Sequence, residues 1–165
     1  MNPAATFKMK EGREAQKEVE RLEVRRTLER YKLEGRERLF GRRLWSETLG
    51  VAGNPDLILR GEDACAVVEF KLSEREPGPA EWLQMACYAA LVEEQMGGKV
   101  DWMFGYRIPD GAVFPAAYSD GWRRRVGEVL AEVRACVGQQ IDPGRVDEAD
   151  RCEGCTYVNY CADVW

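Results

Sequence analysis

The chain has 165 residues, 45% of them hydrophobic and 32% charged, a profile that suits one globular domain with a sizeable core and leaves little room for a second full domain. No apolar run approaches the roughly 20 residues that a membrane-spanning helix needs, and the composition is not that of a disordered chain. The net charge of -5 hides a division, because residues 1–45 carry 13 Lys or Arg against 8 Asp or Glu while residues 46–165 carry 11 against 21.

A basic segment followed by an acidic one suits phosphate binding beside an acidic site, although a solvated helix face accounts for the same charges. No basic stretch, apolar run and small-residue cleavage site open the chain in succession, so a cytoplasmic protein is the expectation. Its six cysteines then point to metal or cluster binding rather than to a disulfide framework.

In chain order, Lys8 to about Leu33 is dense in Glu, Arg and Lys without proline, and reads as one long helix with Gly12, Gln16, Val19 and Leu28 on roughly one face. Leu39–Leu49 and Asp56–Arg60 read as strands separated by the turn Gly53-Asn54-Pro55, and Asp63–Leu72 as a third strand. After Pro77-Gly78-Pro79, Ala80–Met96 reads as a helix ended by Gly97-Gly98. Lys99–Arg107 and Val113–Tyr118 form a predicted hairpin around Pro109-Asp110-Gly111, followed by a helix from about Trp122 to Val137 and an irregular tail beyond Ile141. This order implies an α/β fold, a mixed sheet flanked by helices.

The third predicted strand ends in Glu69-Phe70-Lys71. Alternation along a strand puts Glu69 and Lys71 on one face and Val68, Phe70 and Leu72 on the other, so one face becomes polar and the other core. Alone, such a pair is usually an exposed ion pair. Asp56, thirteen residues earlier, changes its meaning, since an adjacent strand can bring the two carboxylates together around a hard divalent cation. Mg²⁺ or Mn²⁺ there would polarise a phosphate and acidify a water, with Lys71 orienting that water or stabilising negative charge, which is the chemistry of phosphodiester hydrolysis.

Gly53-Asn54-Pro55-Asp56, Glu69-Phe70-Lys71 and Gln84-Met85-Ala86-Cys87-Tyr88 together resemble the motifs of the RecB-like PD-(D/E)xK exonucleases that serve CRISPR adaptation. The resemblance implies a restriction-endonuclease-like core, a catalytic set of Asp56, Glu69, Lys71, Gln84 and Tyr88, and a metal set of Asp56, Glu69, Phe70 and Gln16. Gln84 and Tyr88 share one helical face at this spacing, which a half-buried face containing Leu91 also explains. The family usually places a metal-binding histidine on its first helix. This chain has no histidine, and Met9-Lys10-Glu11-Gly12-Arg13-Glu14-Ala15-Gln16 places Gln16 at the equivalent point, where its amide oxygen would ligate weakly and favour Mg²⁺ over Mn²⁺.

Cys152, Cys155 and Cys161 have the dense spacing of zinc or iron-sulfur ligands. The resemblance implies a 4Fe-4S cluster completed in relatives by an amino-terminal cysteine. Here the first cysteine is Cys65, which reads as core packing, as do Cys87 and Cys136, although Cys136 is a conceivable substitute ligand. The implied organisation is a nuclease core over residues 1–141 and a cysteine-rich tail over 142–165 packed on the same domain. The implied activity is trimming of single-stranded or overhanging prespacer DNA, in company with the adaptation integrase and its small partner subunit. A non-catalytic subunit that recognises DNA ends, a RecB-like repair nuclease and a small zinc module remain as alternatives.

Overall fold

The computed structural model describes residues 7–141, with side chains from Lys10 onward. Its elements are α1 (Phe7–Glu23), a short 3-10 turn (Glu29–Tyr31), β1 (Glu37–Phe40), β2 (Leu44–Ser46), β3 (Val51–Gly53), β4 (Leu57–Arg60), β5 (Ala64–Lys71), α2 (Pro79–Met96), β6 (Lys99–Arg107), β7 (Val113–Ala117) and α3 (Asp120–Gln139). The main sheet has the order β1-β4-β5-β6-β7, and β2 and β3 pair as a separate hairpin. β5 and β6 run parallel and their other neighbours antiparallel, so the mixed sheet with helices is present. The core unit extends to Glu128 within α3, and the remaining described residues group separately. None of the described helices is long and apolar enough to cross a membrane.

The predicted first helix is too long. Leu28 lies nine residues after Val19, and at about 100° per residue a continuous helix would put the two on opposite sides. Both are instead buried in one core cluster with Tyr31. The chain leaves the helix at Glu23, whose fully buried carboxylate accepts hydrogen bonds from Arg26 Nη1 at 3.4 Å and Tyr31 Oη at 3.3 Å. A buried charge needs partners on several sides, and bending the chain back supplies them. The predicted strand Leu39–Leu49 likewise divides into β1 and β2 around Gly41, which has φ +57, a conformation that a side chain disfavours.

β5 is the middle strand and is covered on both faces, as a strand flanked on both sides by pairing partners and helices commonly is. Ala66, Val68 and Phe70 join Leu57, Leu59, Phe104, Tyr106, Val19, Leu28 and Tyr31 in the core. Val67 and Glu69 are also buried, on the face toward α2, which packs on β5, β6 and β2. The face expected to be polar is therefore enclosed. Leu72, expected in the core, lies just beyond the strand and is 45% exposed.

Candidate active site

α2 is started by Pro79, and the Gly78 N–H donates to Glu81 Oε2 at 3.0 Å, an N-terminal capping arrangement that sets the phase of the helix. Gln84 and Tyr88, one turn apart, consequently reach the end of β5. Lys71 Nζ donates to Glu69 Oε1 at 3.0 Å and to Gln84 Oε1 at 3.1 Å, while Gln84 Nε2 donates to Tyr88 Oη at 2.8 Å. Four of the predicted residues thus form one hydrogen-bonded line.

Asp56 enters from the neighbouring strand. β4 pairs with β5 so that Leu57 faces Val68, which sets Asp56 at the level of Glu69 one step further along. Asp56 Oδ2 accepts the Phe70 N–H at 2.7 Å, and Oδ1 accepts Gln16 Nε2 at 2.8 Å. The Phe70 ring is buried edge-on against Tyr106, so only its main chain is available to the site.

Gln16 presents its amide nitrogen, not its oxygen. The same nitrogen donates to Glu20 Oε1 at 2.8 Å, and between two carboxylates only the donor end of an amide is satisfied. For its oxygen to ligate a cation, the side chain must turn and give up both bonds.

The two carboxylates of the site are buried and close to each other. Burial, and then the neighbouring charge of Glu69, push the Asp56 carboxyl up to about 8, against the opposing pull of the Phe70 amide and Lys71. Glu69 is 6% exposed, and its Oε2 is buried with no hydrogen-bond partner. A partnerless buried carboxylate oxygen is costly. Two buried carboxylates, one of them with an unpartnered oxygen, and one lysine fit a hard divalent cation, and Mg²⁺ commonly binds through one or two carboxylates and retains water. Among the described residues no group of three or more His, Cys, Asp or Glu converges, so the carboxylate set here is this pair.

The direction of the Asp56 shift has a measurable consequence. Its folded-state value is raised, so in the metal-free protein this group favours folding at low pH and loses that contribution as pH rises from the ordinary carboxylate range through about 8. A cation that replaces the proton offsets the loss. Mg²⁺ is therefore expected to raise Tm more at about pH 8 than at about pH 5, and Asp56→Asn to remove most of the difference. Differential scanning fluorimetry across pH checks this, and an equal Mg²⁺ effect at both values would contradict it.

Three supporting roles were not legible from the motifs. Glu20 holds Gln16, and only its position one helical turn from Gln16 hints at this. Gly53 lacks the side chain that would collide with Tyr88, since a Cβ there would stand 2.5 Å from Tyr88 Cε1 and 2.8 Å from Cδ1. Gly105, in register with Glu69 on β6, likewise leaves room for Pro77 of the loop before α2. Of the cysteines, Cys65 is buried, and Cys87 and Cys136 are half-buried free thiols. Cys152, Cys155 and Cys161 lie outside the described residues.

The chain as a whole is similar to known nucleases. A family model for the PD-(D/E)XK nuclease superfamily matches residues 3–162. The chain is 26% identical over 153 residues to the CRISPR-associated exonuclease Cas4 of Francisella tularensis subsp. novicida, a match covering 93% of this chain and 77% of that protein. It is 30% identical over 127 residues to a CRISPR-associated exonuclease Cas4/endonuclease Cas1 fusion of Myxococcus xanthus, covering 72% of this chain and 22% of the fusion. The crystal structure of SSO0001 superposes with a TM-score of 0.55 at 15% identity, over 97% of this chain and 73% of that one, a likeness of fold alone.

Proposed function

The chain belongs to the PD-(D/E)XK nuclease superfamily, and from that premise we propose that it is a divalent-metal-dependent DNA exonuclease that trims single-stranded or overhanging prespacer ends in CRISPR spacer acquisition. The observation that carries the chemistry is the buried pair Asp56 and Glu69, with Glu69 Oε2 partnerless and Lys71 alongside. Similarity to the two CRISPR-associated exonucleases supports the setting. The fusion in Myxococcus xanthus supports a protein of the Cas1 kind as partner; the small companion subunit of the adaptation integrase and a cytoplasmic site of action are part of the same proposal.

In this reading Asp56 and Glu69, with the main chain of Phe70, hold Mg²⁺ or Mn²⁺. When bound, the cation supplies positive charge to the scissile phosphate and increases the acidity of water. Lys71, fixed between Glu69 and Gln84, donates to the attacking water or to charge developing on the phosphate. Gln84 fixes Lys71, and Tyr88 fixes Gln84. Burial and the nearby carboxylate of Glu69 raise the Tyr88 phenol above its ordinary value, so it works as a neutral hydroxyl. Cys152, Cys155 and Cys161 would supply three ligands of a 4Fe-4S cluster in a tail module beginning near residue 142, with no fourth cysteine identified, and no step of the cleavage runs through it.

A second reading follows from Gln16, whose donor nitrogen occupies Asp56 Oδ1. A chain that holds its cation weakly would recognise DNA ends without rapid turnover. Duplexes with labelled overhangs, incubated with Mg²⁺, Mn²⁺ or a chelator, separate the two. Progressive shortening of the overhang that a chelator stops is the expected result, and binding without shortening under every metal would favour the second reading.

A further inference from the structure

Part of the positive charge of the first 45 residues gathers where the chain leaves α1. Nη1 of Arg26 and Nη1 of Arg30 both donate to Tyr106 Oη, at 3.0 and 2.9 Å, and Arg30 lies over the phenol ring 5.4 Å from its centroid. The carboxylate of Glu23, fully buried, stands 3.4 Å from each of the two nitrogens. Two cations face one anion inside this cluster, with Glu29 at the lining of the hollow as the opposing charge, and the fold leaves the arginines accessible, since the Arg26 and Arg30 side chains are 36% and 29% exposed. With Thr27 and Glu29 they line an open hollow of about 370 Å³.

A phosphodiester brings one negative charge and several acceptor oxygens, and guanidinium groups match it better than ammonium groups because they donate as a planar fork. Here both forks are held in place by Tyr106 and Glu23, which reduces the ordering cost of binding. Thr27 adds a hydroxyl. The subsite lies at the end of the sheet that carries the carboxylates, since Tyr106 is in register with Phe70 on the adjacent strand, and on the opposite face of that sheet from Glu69 and Lys71. The mechanism above uses none of Arg26, Thr27, Glu29, Arg30 and Tyr106.

We propose that Arg26 and Arg30 form a subsite for a backbone phosphate of the bound nucleic-acid strand, distinct from the phosphate being cleaved. This deepens the nuclease reading and rests on it. Glu29, the acidic member of the hollow, opposes the anion and makes the subsite testable by a gain as well as by a loss.

The experiment measures binding of a labelled oligothymidine strand in chelator across a salt series, and hydrolysis of bis(p-nitrophenyl) phosphate with Mn²⁺ by the same proteins. Exchanging both arginines for glutamine (Arg26→Gln with Arg30→Gln) is expected to reduce the slope of log affinity against log salt by about 0.7, the value for one phosphate contact on a single strand. Arg30→Lys keeps that slope and loses affinity. Hydrolysis of the small diester, which needs only the carboxylate site, stays unchanged. Because removing both arginines strips Glu23 of its cations, Glu29→Gln decides the matter if that variant fails to fold. It tightens strand binding by roughly twofold or more, whereas Glu34→Gln, exposed and outside the hollow, does so less. Equal gains at Glu29 and Glu34, or an unchanged slope in a folded double variant, would overturn the subsite and leave the nuclease standing. Wild type that hydrolyses the small diester without binding the strand would do the same. Wild type that does neither would overturn the nuclease reading, and the subsite with it.

Discussion

Lys71→Ala is expected to slow metal-dependent DNA cleavage by about 100- to 1,000-fold, the usual effect of losing one preorganised donor to developing charge, while Mn²⁺ affinity is retained or rises. The geometry separates the two quantities. Lys71 Nζ is held by Glu69 Oε1 at 3.0 Å and Gln84 Oε1 at 3.1 Å, and its side chain is 33% exposed while that of Glu69 is 8% exposed. The lysine therefore meets the substrate from a solvent-facing position, and the carboxylates beneath it stay in place when it is removed. Taking a cation away from two acids leaves the site more negative, which favours a metal ion. Single-turnover cleavage and calorimetric Mn²⁺ titration of the same variant check this. A rate within a few fold of wild type would remove Lys71 from the chemistry.

The second large effect belongs to a residue that touches neither substrate nor metal. Gly53→Ala places a methyl group 2.5 Å from Tyr88 Cε1, well inside contact distance, so either β3 or the Tyr88 ring must move. Overpacking of this kind costs about 1–3 kcal/mol, a fall in Tm of about 2–4 °C for each kcal/mol in a chain of this size. The displacement is carried to the chemistry through hydrogen bonds, because Tyr88 Oη holds Gln84 and Gln84 holds Lys71. A misplacement near 1 Å can cost about 100-fold in rate. Tyr88→Phe separates packing from positioning: it keeps the ring against Gly53, leaves Tm close to wild type, and still lowers the rate because Gln84 loses its anchor. Thermal melts and cleavage rates of both variants check this, and a Gly53→Ala protein with wild-type Tm and rate would contradict it.

The elements that carry the site were legible because their local signals agree with their tertiary roles. Alternation through Val68-Glu69-Phe70-Lys71 predicts β5, and Pro79 and Gly97-Gly98 bracket α2. The four-residue spacing of Gln84 and Tyr88 predicts their common face. What was not legible depends on distant partners. The end of α1 at Glu23 is set by Arg26, Arg30 and Tyr31 closing around a buried carboxylate, and a window that weighs helix propensity does not register that requirement. Gly41 divides the strand region through its backbone conformation, which composition does not reveal.

The same holds within the site. Gly53 stood out as part of a turn, but its steric role depends on a tyrosine 35 residues later. The amide of Gln16 points its nitrogen inward because Glu20 lies one turn away and Asp56 lies 40 residues away. The enclosure of Glu69 follows from α2 packing over a face that alternation alone marks as polar.

In the proposed function Asp56 and Glu69 hold the cation that promotes DNA cleavage. The measurement that tests it most directly is Mn²⁺ binding and cleavage of end-labelled single-stranded DNA, recorded on the same preparations of wild type and Glu69→Ala. Wild type is expected to bind the ion and shorten the strand, and Glu69→Ala to lose both together. Cleavage undiminished in Glu69→Ala would contradict it.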